Sequence, residues 1–297
     1  MRVRKLMSRI GLRAGCDRQS RQGVLDLIVA GARALLAEPL AMQGAGRGFI
    51  GAAALFFTLS VLITTLCCAP MASMAARHMP GGWSLSMTWM RMPGQSWAAA
   101  GAIFVANWSV MMVAMMLPSL VPMLLRYRRS LAMRGSQGER LTTVLAAGYF
   151  LVWTLLGAVV FALGMSLSLA ALQIPELARA VPAATALLVL AAGALQFTAW
   201  KAHALEGCKR APLCAERRAA CALKAGLQLG VRCGACCAGP TAVLLALGVM
   251  DLHVMAGITT LISAERLAAD GARIARLGGG VLMGVGVWLL VGAARGG

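Results

Sequence analysis

The sequence predicts an all-α, polytopic transmembrane helical bundle of about seven spans, with six as the lower count. Three observations carry that reading. Hydrophobic residues make up 60% of the chain and charged residues only 13%, well under the roughly one quarter charged in soluble domains. Several apolar runs exceed the roughly 18 residues that mark a membrane-spanning helix. Those runs do not alternate polar with apolar, which excludes a β-barrel.

The segments follow in order. Residues 1–48 are basic and irregular and read as a cytoplasmic tail. Within it, residues 24–40 are mildly amphipathic, either an interfacial helix or disordered chain. No apolar core follows the first charges closely enough for a cleaved signal peptide. Residues 49–297 form the helical domain. Its spans are expected at about 49–69, 98–125, 141–172, 181–200, 225–249, 252–264 and 274–293. The sixth of these is too short to cross alone at 1.5 Å per residue, and either it borrows residues from the fifth or the pair is kinked around Gly239-Pro240. A Met-rich outer segment occupies 70–97 and a Cys-containing loop occupies 201–224.

Charge gives an orientation. Lys and Arg number nine before the first span, two in the next connection, then five, one and six. Positive charge favours the cytoplasmic side, so the N-terminus is read as cytoplasmic. Topology and anionic lipid account for the net charge of +18, and no nucleic-acid partner is needed.

Sulfur is distributed unevenly across that topology. RCGACC places Cys233, Cys236 and Cys237 within five residues. At spacings of three and four, all three sulfurs share one side of a helix and can meet one ion. Arg232 beside them is positioned to stabilise a thiolate. On the outer side, Met71, Met74, His78 and Met79 lie among six methionines between residues 71 and 92. Thioether and thiolate are soft ligands that select Cu(I), and thioether survives where thiols oxidise. In the second span, Met111 pairs with Met115 and Met112 with Met116 at helical spacing. Both methionine groups read equally as adaptable apolar packing. His203 and Cys208 lie in the loop before the thiols, without zinc-finger spacing.

These motifs resemble, in order and spacing, a bacterial family of predicted metal-binding integral membrane proteins also labelled copper chaperones. The resemblance covers about residues 71–290. Its Trp-x-x-Met-Met-x-x-Met-Met-x-Pro-Ser element falls on Trp108, Met111, Met112, Met115, Met116, Pro118 and Ser119. Its Cys-x-x-Cys-Cys element is Cys233, Cys236 and Cys237. The family's loop carries two cysteines; here Lys201, Leu205, Cys208 and Lys209 match, while Ala204 replaces the first cysteine and His203 stands next to it.

The function expected from the residues and the resemblance together is non-enzymatic binding of Cu(I), by transport or by delivery to a metallochaperone or copper-requiring enzyme. Cys233, Cys236 and Cys237 are the core ligands, with Met111, Met112, Met115 and Met116 as a relay. Two alternatives stay open: a thiol–disulfide oxidoreductase using the Cys-x-x-Cys-Cys cluster, and a non-catalytic assembly factor.

Overall fold

The computed structural model describes residues 45–73, 77–78, 83–85, 89, 91, 94–130, 136–210, 218–249 and 251–295. Helices dominate them: α1 (Ala45–Ser73), α2 (Trp97–Ser130), α3 (Ser136–Gln173), α4 (Pro175–Leu195), α5 (Ala199–Lys209), α6 (Ala219–Leu247), α7 (Leu252–Leu267) and α8 (Gly271–Ala294). Between α1 and α2, β1 (Arg77–His78) pairs antiparallel with β2 (Ser84–Leu85), Arg77 opposite Leu85. Residues 24–40 lie outside the described residues, as do Met74 and Met79.

Among the described residues, six helices are long and apolar enough to cross a bilayer: those containing Gly48–Leu66, Trp97–Arg129, Gln137–Gln173, Pro175–Leu195, Ala219–Leu247 and Gly271–Ala294. The chain is therefore a multi-pass helical bundle, as expected. Large side chains such as Leu55, Leu163, Leu277 and Val281 point outward. Burying an apolar face against lipid rather than water explains that exposure. At 16 residues, α7 is only about 24 Å long, short of a hydrocarbon core of about 30 Å.

The fourth span differs from expectation at both ends. Pro175 sits in the first turn of α4, where its fixed φ suits the helix and its missing N–H costs nothing. The helix then breaks after Leu195. Thr198 starts α5 as its N-cap, its hydroxyl accepting from the Lys201 amide at 3.3 Å. The expected span at 181–200 thus ends early at the break, and α5 occupies the start of the expected Cys-containing loop.

Packing fixes the directions. Phe49 of α1 lies 5.0 Å under the Arg128 guanidinium near the end of α2, and Arg128 meets Glu139 at the start of α3 at 3.8 Å. These contacts mark one end of the bundle, here termed the basic end. Trp108 donates its indole N–H to the Trp153 carbonyl at 2.9 Å, locking α2 antiparallel to α3. The backbones of α3 and α6 run parallel in direct contact, since a Cβ on Gly226 would overlap the Leu145 carbonyl. In the same way Gly193 of α4 and Gly279 of α8 bring those two helices together antiparallel, the added Cβ of each meeting the other's carbonyl at 3.0 and 2.9 Å. Small residues at such crossings are what helix association in lipid relies on.

At the basic end, Arg126 reaches the Lys209 carbonyl at 3.5 Å and Lys209 Nζ donates to the Ala268 carbonyl at 2.8 Å. Hence α7 runs back from the far end of α6 toward the basic end, where α8 begins. Short as it is, α7 returns the chain, and Ala294 ends at the end of the bundle opposite Phe49. The most enclosed of the six long helices is α2, which carries the methionines through the middle of the main core.

Candidate metal centre

Four cysteines meet where α5 packs on α6. Cys208, Cys233, Cys236 and Cys237 are all free and buried. Helical geometry puts Cys233 and Cys237 one turn apart, with their sulfurs 3.8 Å from each other. The Cys208 thiol reaches across from α5 and hydrogen-bonds both Cys233 and Cys236. Those two bonds, with burial, hold the Cys208 thiol protonated well above its ordinary range. Cys221 in the first turn of α6 is disulfide-bonded rather than free.

The cation beside the thiols is not the expected one. Arg232 is exposed, because it follows the outward-facing Val231 on a helix whose buried side is set by the cysteines. Arg266, near the end of α7, takes the place foreseen for it. Its Nη1 lies 3.2 Å from Cys233 Sγ, 2.9 Å from Ser119 Oγ and 3.5 Å from Tyr149 Oη. Tyr149 Oη also donates to Cys233 Sγ at 3.0 Å. One sulfur thus receives two donors, one of them charged, which favours negative charge there.

A second buried polar group braces the other side of the cluster. Pro240 has no amide hydrogen, so the Cys236 carbonyl one turn earlier lacks its helical partner. Lys201 Nζ donates to that carbonyl at 2.9 Å and to Glu265 Oε2 at 2.6 Å. Gln196, at the break after α4, donates to Glu265 Oε1 at 2.8 Å. Lys201 and Glu265 are 3% and 1% exposed, so this is a fully desolvated and fully satisfied ion pair. No kink of the α6–α7 pair is needed at Pro240; α6 continues as one helix through it.

The other candidate residues divide. Met111, Met112, Met115 and Met116 are buried and belong to the same core cluster as the four cysteines. Ser119 links them, its Oγ donating to the Met116 carbonyl at 3.0 Å and meeting Arg266. His203 is exposed, its Nδ1 2.7 Å from the Ala199 carbonyl of its own helix, and does not join the thiols. Met71 falls in α1 and His78 in β1 by backbone alone. Among the described residues, no three His, Cys, Asp or Glu side chains are already arranged around an ion position. The thiols are grouped by hydrogen bonds. Asp251 caps α7, accepting from the amides of His253 and Val254 at 2.9 and 3.2 Å, so the acid near that turn is a cap.

Reading the sequence missed Arg266, Tyr149 and the pairing of Lys201 with Glu265. A signal was present: Glu265-Arg266 is an acid and a base inside an apolar stretch, and such residues in membrane segments mark interior sites.

The fold and this site define a multi-pass helical membrane protein with a buried, positively flanked thiol cluster. The family model PpoB2, described as "Copper chaperone", matches residues 105–289, more than half of the chain, and the protein belongs to that family. The matched region holds the four methionines of α2, all four clustered cysteines, Lys201, Glu265 and Arg266. Neither the curated proteins nor the solved structures contain a match.

Proposed function

We propose that this protein binds Cu(I) as cargo at the Cys208–Cys233–Cys236–Cys237 cluster and delivers it to a copper-requiring partner, without catalytic turnover. The observation that carries this is the grouping of four free, buried thiols from two helices beside Arg266. Soft sulfur donors suit Cu(I) over harder ions. The family description favours delivery over transport. The buried methionines of α2 supply thioethers on the same core, suited to passing a soft ion onward.

The membrane is taken as the bacterial cytoplasmic membrane, with the basic end facing the cytoplasm under the positive-inside rule. That orientation places Cys208 toward the compartment that keeps thiols reduced. The disulfide at Cys221 points the other way, and topology mapping, described below, decides between them.

Elemental analysis of the detergent-purified chain, grown with copper and kept reducing, tests the proposal. Wild type is expected to retain copper, and a Cys233/Cys236/Cys237 triple-serine variant to lose it. Retention by the variant, or absence from both while the thiols titrate as intact, rejects the proposal. In the second case, cycling of these thiols with a quinone would put disulfide exchange in its place.

A further inference from the structure

We infer that Arg266 is the specificity-determining residue of the thiol centre, setting it for a monovalent soft cation against a divalent one. The inference rests on the Cu(I) reading above and adds what the charges around the cluster select.

Two buried cations stand next to the sulfurs, and they are not equivalent. Lys201 is neutralised by Glu265 at 2.6 Å, so that pair contributes no net charge. Arg266 is 7% exposed, and its contacts at the site are a hydroxyl, a phenol and a sulfur, none of them a carboxylate. The cluster therefore sits beside one uncompensated positive charge in a medium that screens poorly.

Charge counting follows directly. A monovalent ion on two thiolates has a net charge of minus one, which the guanidinium offsets, leaving the centre neutral. A divalent ion on the same two thiolates is neutral by itself and leaves the guanidinium unbalanced and buried. Balancing it would need a third buried thiol to ionise, and Zn(II) would further require four ligands in tetrahedral array. The position of Arg266 makes the same point. Serine and tyrosine hydroxyls from α2 and α3 hold its Nη1 against Cys233, so the charge is fixed at the sulfur and cannot swing to solvent.

The test loads the purified, reduced full-length chain in detergent with equimolar Cu(I) and Zn(II), and reads the copper-to-zinc ratio by elemental analysis. Wild type is expected to take copper in excess. In Arg266→Gln the ratio is expected to fall on the order of tenfold or more, because one unit charge at contact distance is removed. Arg266→Lys should restore the ratio relative to the glutamine variant, which a purely structural role for the guanidinium would not predict. Ser119→Asp cancels the same charge while keeping the arginine, and should lower the ratio even if Arg266→Gln fails to fold. An unchanged ratio in both charge-cancelling variants overturns the inference while leaving copper binding standing. Absence of copper from the wild type instead rejects the binding reading itself, and the inference with it.

Discussion

At the scale of single residues, the buried ion pair is the sharpest feature. Lys201 and Glu265 are each held by two or more partners, and Glu265→Gln would leave an ammonium buried with no counter-charge. Breaking such a pair costs about 3–5 kcal/mol, so the thermal unfolding midpoint in detergent should fall clearly. A Lys201→Met/Glu265→Met double variant should recover most of that loss, since apolar replacements of similar volume restore balance. Little of this was legible in advance. RCGACC announced the thiols because three sulfurs in five residues share a helix face whatever the surroundings. The partners come from Tyr149, Lys201 and Arg266, on three other helices, and no spacing rule links positions so far apart in the chain. Arg232 drew attention as a sequence neighbour of Cys233, yet helical rotation of one residue turned it outward.

At the scale of elements, the glycines decide how closely the site-bearing helices approach. Gly226 lets α6 touch the α3 backbone at Leu145, one turn from Tyr149, and so sets the distance from that phenol to Cys233. Gly226→Val is expected to push these helices apart, costing about 1–3 kcal/mol and lowering copper retention. Gly234→Ala is the control, because a Cβ there meets nothing within 4 Å. Equal effects of the two substitutions on the unfolding midpoint and copper content would show that helix spacing is irrelevant to the site. The long spans were readable from their apolar runs to within a few residues, because bilayer thickness imposes the length. The break at residues 196–198 was not, since Gln-Phe-Thr carries no proline or glycine to mark it. Local capping by Thr198 and the hold of Glu265 on Gln196 accompany the break, and the second of these is a tertiary contact.

At the scale of the whole molecule, the return of α7 sets the topology. Six of the described helices have spanning length, yet Phe49 and Ala294 lie at opposite ends of the bundle. Reporter fusions before Ala45 and after Ala294 should accordingly report opposite sides of the membrane, with the earlier fusion cytoplasmic. Same-side reporters would mean that α7 does not return the chain as packed here. A periplasmic signal from the earlier fusion would reverse the bundle and accord with a disulfide at Cys221. The expected sixth span, at 252–264, and the short helix α7 are one and the same segment. Its length was correctly read as insufficient, and contacts with α2, α6 and α8 supply what lipid exposure alone would deny it.

Pro240 has a mechanical consequence. By withdrawing an amide, it exposes a single carbonyl in the midst of α6, and the side chain that answers comes from α5. Any sliding of α5 along α6 therefore unseats Lys201 from the very residue that carries one of the sulfurs. A pull on the connection beyond Lys209 would be felt at Cys236 as a lost tether, so that displacement at the basic end and loosening of the thiol cluster become a single movement.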